Sequence, residues 1–177
     1  MKAAGSPVCS GASGLACRCN DREDLQKPVE GNNMLEWTTL HQNLETAAHK
    51  HHLLASRFNA FAMSVEDQIT QQTFHIKGIT VSLHLEHGFF STTFSGRALH
   101  FVFASTTQDS GNLIGNVKCF LKREYPESRY LEIGQFTFAE SGQTSLTEPQ
   151  SGGPVAIDSD LSSLNVALHF ISASLAH

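Results

Sequence analysis

His41, Glu45, His49 and His52 are spaced four, four and three residues apart, so on a helix they share one face. Imidazoles one turn apart reach a common Zn²⁺ or Ni²⁺, and a carboxylate among them adds an oxygen ligand. A plainer account competes with that chemistry, in which the four side chains are the solvated flank of an amphipathic helix. His51 falls within the neighbouring apolar stripe, where a hydrogen-bonded core or interface role is expected.

A second cluster depends on strand register. His84, Ser91 and His100 lie on alternating segments separated by His87-Gly88 and Ser95-Gly96, which both read as two-residue hairpin turns. Those turns put His84 opposite Ser91 and Ser91 opposite His100, in one row on the polar sheet face. Ser82 and Glu86 flank His84 there. A serine between two imidazoles has the parts of a nucleophile and a general base near neutral pH, with Glu86 as a further acid–base group. A catalytic serine also requires an oxyanion site and an orienting carboxylate, and the sequence identifies neither. Contact with a ligand or partner is therefore the expectation for Ser82, His84, Ser91 and His100.

Lys118, Lys122, Arg123 and Arg129 form a basic cluster interleaved with Glu124, Glu127 and Glu132, so neutralisation within the cluster is expected. The formal net charge of −5 supplies no global field for nucleic acid or an anionic membrane, and neither is an expected partner. No apolar run approaches the roughly 18 residues of a membrane-spanning helix. The local signatures of phosphate loops, dinucleotide folds, zinc proteases and serine hydrolases are missing, which argues against those families but does not exclude an enzyme whose site assembles from distant strands.

The elements that must position these residues show in the hydrophobic period. Trp37, Leu40, Leu44, Ala47, His51, Leu54, Phe58 and Phe61 alternate steps of three and four, which predicts a helix from about 35 to 61, capped by Asn33 or Thr38. Ser64–Gln72 reads as a polar loop or a short further turn. From Thr73 the period becomes two: Ile79, Val81, Leu83 and Leu85, then Phe90, Thr92 and Phe94, then Leu99, Phe101 and Phe103 form an antiparallel meander. After a loop over Ser105–Asn116, residues 117–123 and 129–138 form another pair, with a β-bulge predicted at Gly134 where the alternation slips. Residues 141–154 read as a polar connection. Leu161, Leu164, Leu168, Ile171 and Leu175 then predict a final helix capped by Asp158, Ser159 or Asp160. The expected fold is α+β: a curved antiparallel sheet of about five strands, with both helices on its apolar face.

The 177 residues divide in composition near residue 34. All twelve Phe lie beyond residue 57, whereas residues 1–33 lack aromatics and hold three of the four cysteines, Cys9, Cys17 and Cys19. Too little apolar surface is present there to offset ordering entropy, so residues 1–33 are expected to be a disordered tail or a non-native stretch, with 34–177 the single domain. The start Met1-Lys2-Ala3-Ala4-Gly5-Ser6-Pro7 lacks the apolar core of a secretory signal, and Met34 is the candidate natural start. The three tail cysteines lack zinc-finger spacing and read as free thiols, and Cys119 reads as a buried small hydrophobe. A reducing, cytoplasmic setting is expected.

These readings favour a non-catalytic binding or regulatory domain that associates with a protein or small ligand as a homodimer, with Trp37 a further contact. The alternatives are a small enzyme using His84, Ser91, His100 and Glu86, and a divalent-metal protein using the His41 stripe. No cofactor is expected beyond that possible Zn²⁺ or Ni²⁺.

Overall fold

The computed structural model describes residues 36–71, 77–148 and 152–177. The predicted tail, its three cysteines, Asn33 and Met34 lie outside these residues.

Helix α1 (Trp37–Thr70) continues past the predicted end near residue 61. Its stripe carries on through Ala62, Val65 and Ile69, all buried, so apolar contact offsets the polar composition of Ser64–Gln72. Glu36 precedes the first turn without a side-chain cap, and Thr38 lies inside the helix.

The strands are β1 (Ile79–His84), β2 (Phe89–Phe94), β3 (Arg97–Thr107), β4 (Leu113–Arg123), β5 (Arg129–Phe138), β6 (Gln143–Thr147) and β7 (Pro154–Ala156), followed by helix α2 (Asp160–Ser174). Each strand pairs antiparallel with the next, giving a seven-stranded meander among the described residues rather than about five strands. The loop predicted over Ser105–Asn116 shrinks because β3 and β4 extend into it. Of the two added strands, β6 falls in the stretch read as a polar connection, and β7 starts at its last residue, Pro154. Thr144 turns inward there, and its hydroxyl donates to the Val155 carbonyl at 2.8 Å, so hydrogen bonding replaces the apolar alternation that would have announced a strand.

Both helices contact the same sheet, and one core joins them. Leu54, Phe58, Phe61 and Val65 of α1 meet Phe90, Leu99, Phe101, Val117 and Phe136 of the sheet and Leu164, Ala167, Phe170 and Ile171 of α2. Phe90 stacks on Phe101 at 4.6 Å, and Phe61 meets Phe136 edge-on at 6.0 Å. Burying each such ring stabilises the fold by roughly 2–3 kcal/mol. Polar clasps fix α2 to its neighbours: Arg57 pairs with Asp158, Ser64 donates to Asp160, and Arg97 donates to the Ser174 carbonyl.

The predicted bulge is present where Cys119 faces Gly134 but Phe120 faces Glu132. The extra residue, Ile133, restores the inward parity of Phe136 and Phe138. Gly134 has a second role: a Cβ there would come within 2.8 Å of Phe170, so the missing side chain seats that ring.

Candidate functional site

Alternation divides β1–β5 into the helix-covered face and an outer face. His84, Phe89, His100, Val102, Phe120 and Tyr130 all belong to the outer face, surrounded by Ser82, Ser91, Lys118, Lys122 and Glu132. No described element packs over it.

The row predicted from the sequence is changed in one respect. The second turn is as expected, with Ser95 and Gly96 both at positive φ, and Ser91 lies opposite His100. The first is not a two-residue turn: Leu85–His87 form a single 3₁₀ turn closed by Gly88 at φ 70°. That longer connection puts His84 opposite Phe89, and Ser82, not His84, opposite Ser91. Glu86 leaves the sheet with the turn; it lies 3.7 Å from His87 and is exposed. The predicted His84–Ser91 pair and the flanking carboxylate are thus not assembled.

A chain of rings takes their place. His84 stacks on Phe89 at 4.6 Å, Phe89 meets His100 at 5.8 Å, and Tyr130 meets His100 edge-on at 5.4 Å. Tyr130 was not singled out in the sequence, although its outward face follows from the predicted bulge, which reverses the parity of everything before Ile133. His100 is the electrostatically distinctive member. Burial, then the charge of Lys122, then that of His84, pull its pKa below the ordinary 6.5. Its Nε2 is shut off from solvent and has no hydrogen-bond partner among the described residues. The neighbouring cations are largely neutralised locally, as expected: Lys118 pairs with Glu132 at 3.0 Å and Lys122 with Glu124 at 2.9 Å. The Glu124 partner raises the Lys122 pKa, and Lys122 lowers that of Glu124.

The helical stripe gathers less than a metal requires. His41 Nε2 reaches Glu45 at 3.2 Å, and no group of three or more His, Cys, Asp or Glu side chains is placed to hold an ion among the described residues. Trp37 is 79% exposed and lies flat against His41, with ring centroids 6.3 Å apart.

Two features were not foreseen. His51 Nδ1 and the Ser105 hydroxyl are 2.9 Å apart, joining α1 to β3. His51 is hydrogen-bonded as expected but exposed, and its ring leans on Phe103 at 5.7 Å. This is a serine–imidazole pair, yet no carboxylate orients the imidazole among the described residues, so its evident work is to fix α1 where the helix leaves the sheet. An open cleft of about 970 Å³ also lies between β6, β7 and α2, with Ser145, Thr147, Asn165 and His169 in its wall.

Comparison with protein-family models, with curated proteins and with solved structures finds no match to this chain. Among the described residues, no helix is long and apolar enough to cross a membrane.

Proposed function

We propose that this domain is a binding or regulatory module that acts by association, through the outer sheet face, with a partner protein or a small ligand. The observation that carries the reading is His100. Its Nε2 is dehydrated and unpartnered, and it lies among Phe89, Phe120 and Tyr130 on a face that no described element covers. An unsatisfied buried polar atom costs about 1–3 kcal/mol, and a partner that turns the His100 ring outward, supplies the hydrogen bond and covers the neighbouring rings recovers that cost. Ring-rich centres with a polar surround are the usual anatomy of contact surfaces.

The catalytic alternative has less support, since His84 and Glu86 stand away from Ser91. The metal alternative has one His–Glu pair to offer.

The test is photo-crosslinking with benzoylphenylalanine at Tyr130, in cells that make the protein natively. A discrete crosslinked species at Tyr130, lost with His100→Asp and not formed from a control site at Glu127, supports the reading. Equal products from both sites count against it.

A further inference from the structure

Helix α1 is 34 residues long, about 51 Å at 1.5 Å per residue. Only its second half lies on the sheet. Its buried residues begin at Leu54, and from Trp37 to Leu53 none is buried, with Leu44 68% exposed. The heptad spacing nevertheless runs from Trp37 to Phe61, with His51 its one polar member. Trp37, Leu44, His51 and Phe58 recur every seven residues, and Leu40, Ala47, Leu54 and Phe61 recur every seven residues three positions later. This is a strict heptad seam with the period of 3.5 that keeps two helices in register along their length. In the second half Leu54, Phe58 and Phe61 spend it on the core. In the first half Trp37, Leu44 and Ala47, all exposed, and the half-buried Leu40 continue the same seam beyond the sheet, with no described element packed on it.

We propose that residues 37–50 of α1, with Glu36 at their N-terminal cap, form an antiparallel two-helix coiled coil with the same residues of a second copy of this chain. Two complementarities select that partner and direction. Setting Leu40 opposite Leu44 of the second copy puts Trp37 opposite Ala47, so the largest and smallest side chains share each end layer and the leucines fill the two middle ones. The positions flanking the seam on one side are Glu36, Asn43 and Lys50. In the same alignment Glu36 meets Lys50 at both ends and Asn43 meets Asn43 in the centre. Neither Glu36 nor Lys50 has an ion-pair partner among the described residues. A parallel alignment loses both features, stacking Trp37 on Trp37 and leaving Ala47 against Ala47. Two heptads are too short to form a helix pair from unfolded peptides. Here the arm continues a helix already nucleated by the core and fixed at its root by His51 and Ser105, so the ordering cost is largely offset before the copies meet.

The test uses the full chain and its one tryptophan, Trp37. Sedimentation velocity across a concentration series should show a monomer–dimer equilibrium, with Trp37 emission moving to the blue as dimer forms. Leu44→Asp should hold the protein monomeric and its emission red at every concentration, with the circular dichroism of the folded domain kept. Glu36→Lys and Lys50→Glu should each weaken self-association at least tenfold, because each sets like charges at both ends. Mixed in equal amounts, these two variants should pair with each other. A monomer at all concentrations overturns the proposal, whether the emission is red or is already blue because another segment of the same chain covers Trp37. A dimer indifferent to Leu44→Asp, or charge variants that fail to pair when mixed, also overturns it. The sheet face is a separate surface: loss of the Tyr130 crosslink with the dimer intact would fail the association reading alone, and the reverse result would fail the coiled coil alone.

Discussion

His84 stacks on Phe89 across the first hairpin, with ring centroids 4.6 Å apart and planes 24° from parallel. Phe89 meets His100 in turn, so one half-buried phenylalanine supports both imidazoles of the outer face. Phe89→Ala should cost about 1–2 kcal/mol, most of it lost ring contact. A double-mutant cycle between His84→Ala and Phe89→Ala should give a coupling of about 0.5–1.5 kcal/mol. The cycle between His84→Ala and Ser91→Ala should give nearly none. Urea melts of the variants read both, and equal couplings would return Ser91 to the His84 row.

His100 makes stability depend on pH with a definite sign. Burial, Lys122 and His84 depress its folded pKa below 6.5, the value taken for the unfolded chain. Between the two values the unfolded chain binds the extra proton, so stability rises with pH through that window and is lost as pH falls from about 6.5 through the folded value. The groups facing it are His84, Lys122, Tyr130 and, across Phe120, Glu132. His100→Phe keeps a ring in place and removes the proton. The variant's denaturation midpoint should fall less than the parent's between pH 7 and pH 5; parallel curves would show that His100 is not the group titrating.

Phe170 of α2 lies on Gly134 of β5, where an added Cβ would stand 2.8 Å from the ring. Gly134→Ala should therefore destabilise the domain by about 1–3 kcal/mol through overpacking. Trimming the ring with Phe170→Leu should make the second change less costly than it is alone, a coupling that chemical denaturation resolves. Additive costs would locate the strain in the backbone of the bulge instead.

Which parts of this architecture were legible follows from period and parity. The stripe of α1, the alternation of β1–β5 and the bulge beside Gly134 all leave marks in residue type, so the α+β sheet with both helices on one face was readable. The partners across the first hairpin were not. Leu85 continues the alternation of Ile79, Val81 and Leu83, yet it begins a 3₁₀ turn, and nothing in its type announces that. The resulting register change is an even number of residues, so every side chain keeps its face while its partner changes. His84 and His100 accordingly share the outer face as read, and the Ser91 contact of His84 does not survive. β6 escaped notice because Thr144 holds its place by a hydrogen bond rather than by hydrophobicity.

Cys119 lies on the inner face of β4, and burial pushes its thiol far above the usual range. The thiolate is the reactive form, so a thiol held protonated by burial is a poor nucleophile. Alkylation of the native protein with iodoacetamide at pH 8, followed by peptide mapping, should leave Cys119 unmodified until denaturant unfolds the domain. Rapid labelling under native conditions would mean that β4 opens readily.

Leu44 and Leu54 lie on one stripe of one helix, at 68% and 0% exposure, and the same truncation should separate their roles. Leu54→Ala opens a cavity between α1 and the sheet and should cost about 2–5 kcal/mol. Leu44→Ala removes a side chain that is mostly in solvent in the single chain, so at concentrations where the protein is monomeric its cost should stay within about 0.5 kcal/mol. With rising concentration the parent should gain stability that Leu44→Ala lacks, because dimer binds only the folded arm. Thermal melts at several concentrations measure all three quantities. A Leu44→Ala penalty that is large and independent of concentration would mean that the first half of α1 is already covered within one chain, and the seam would then have no vacancy for a second copy.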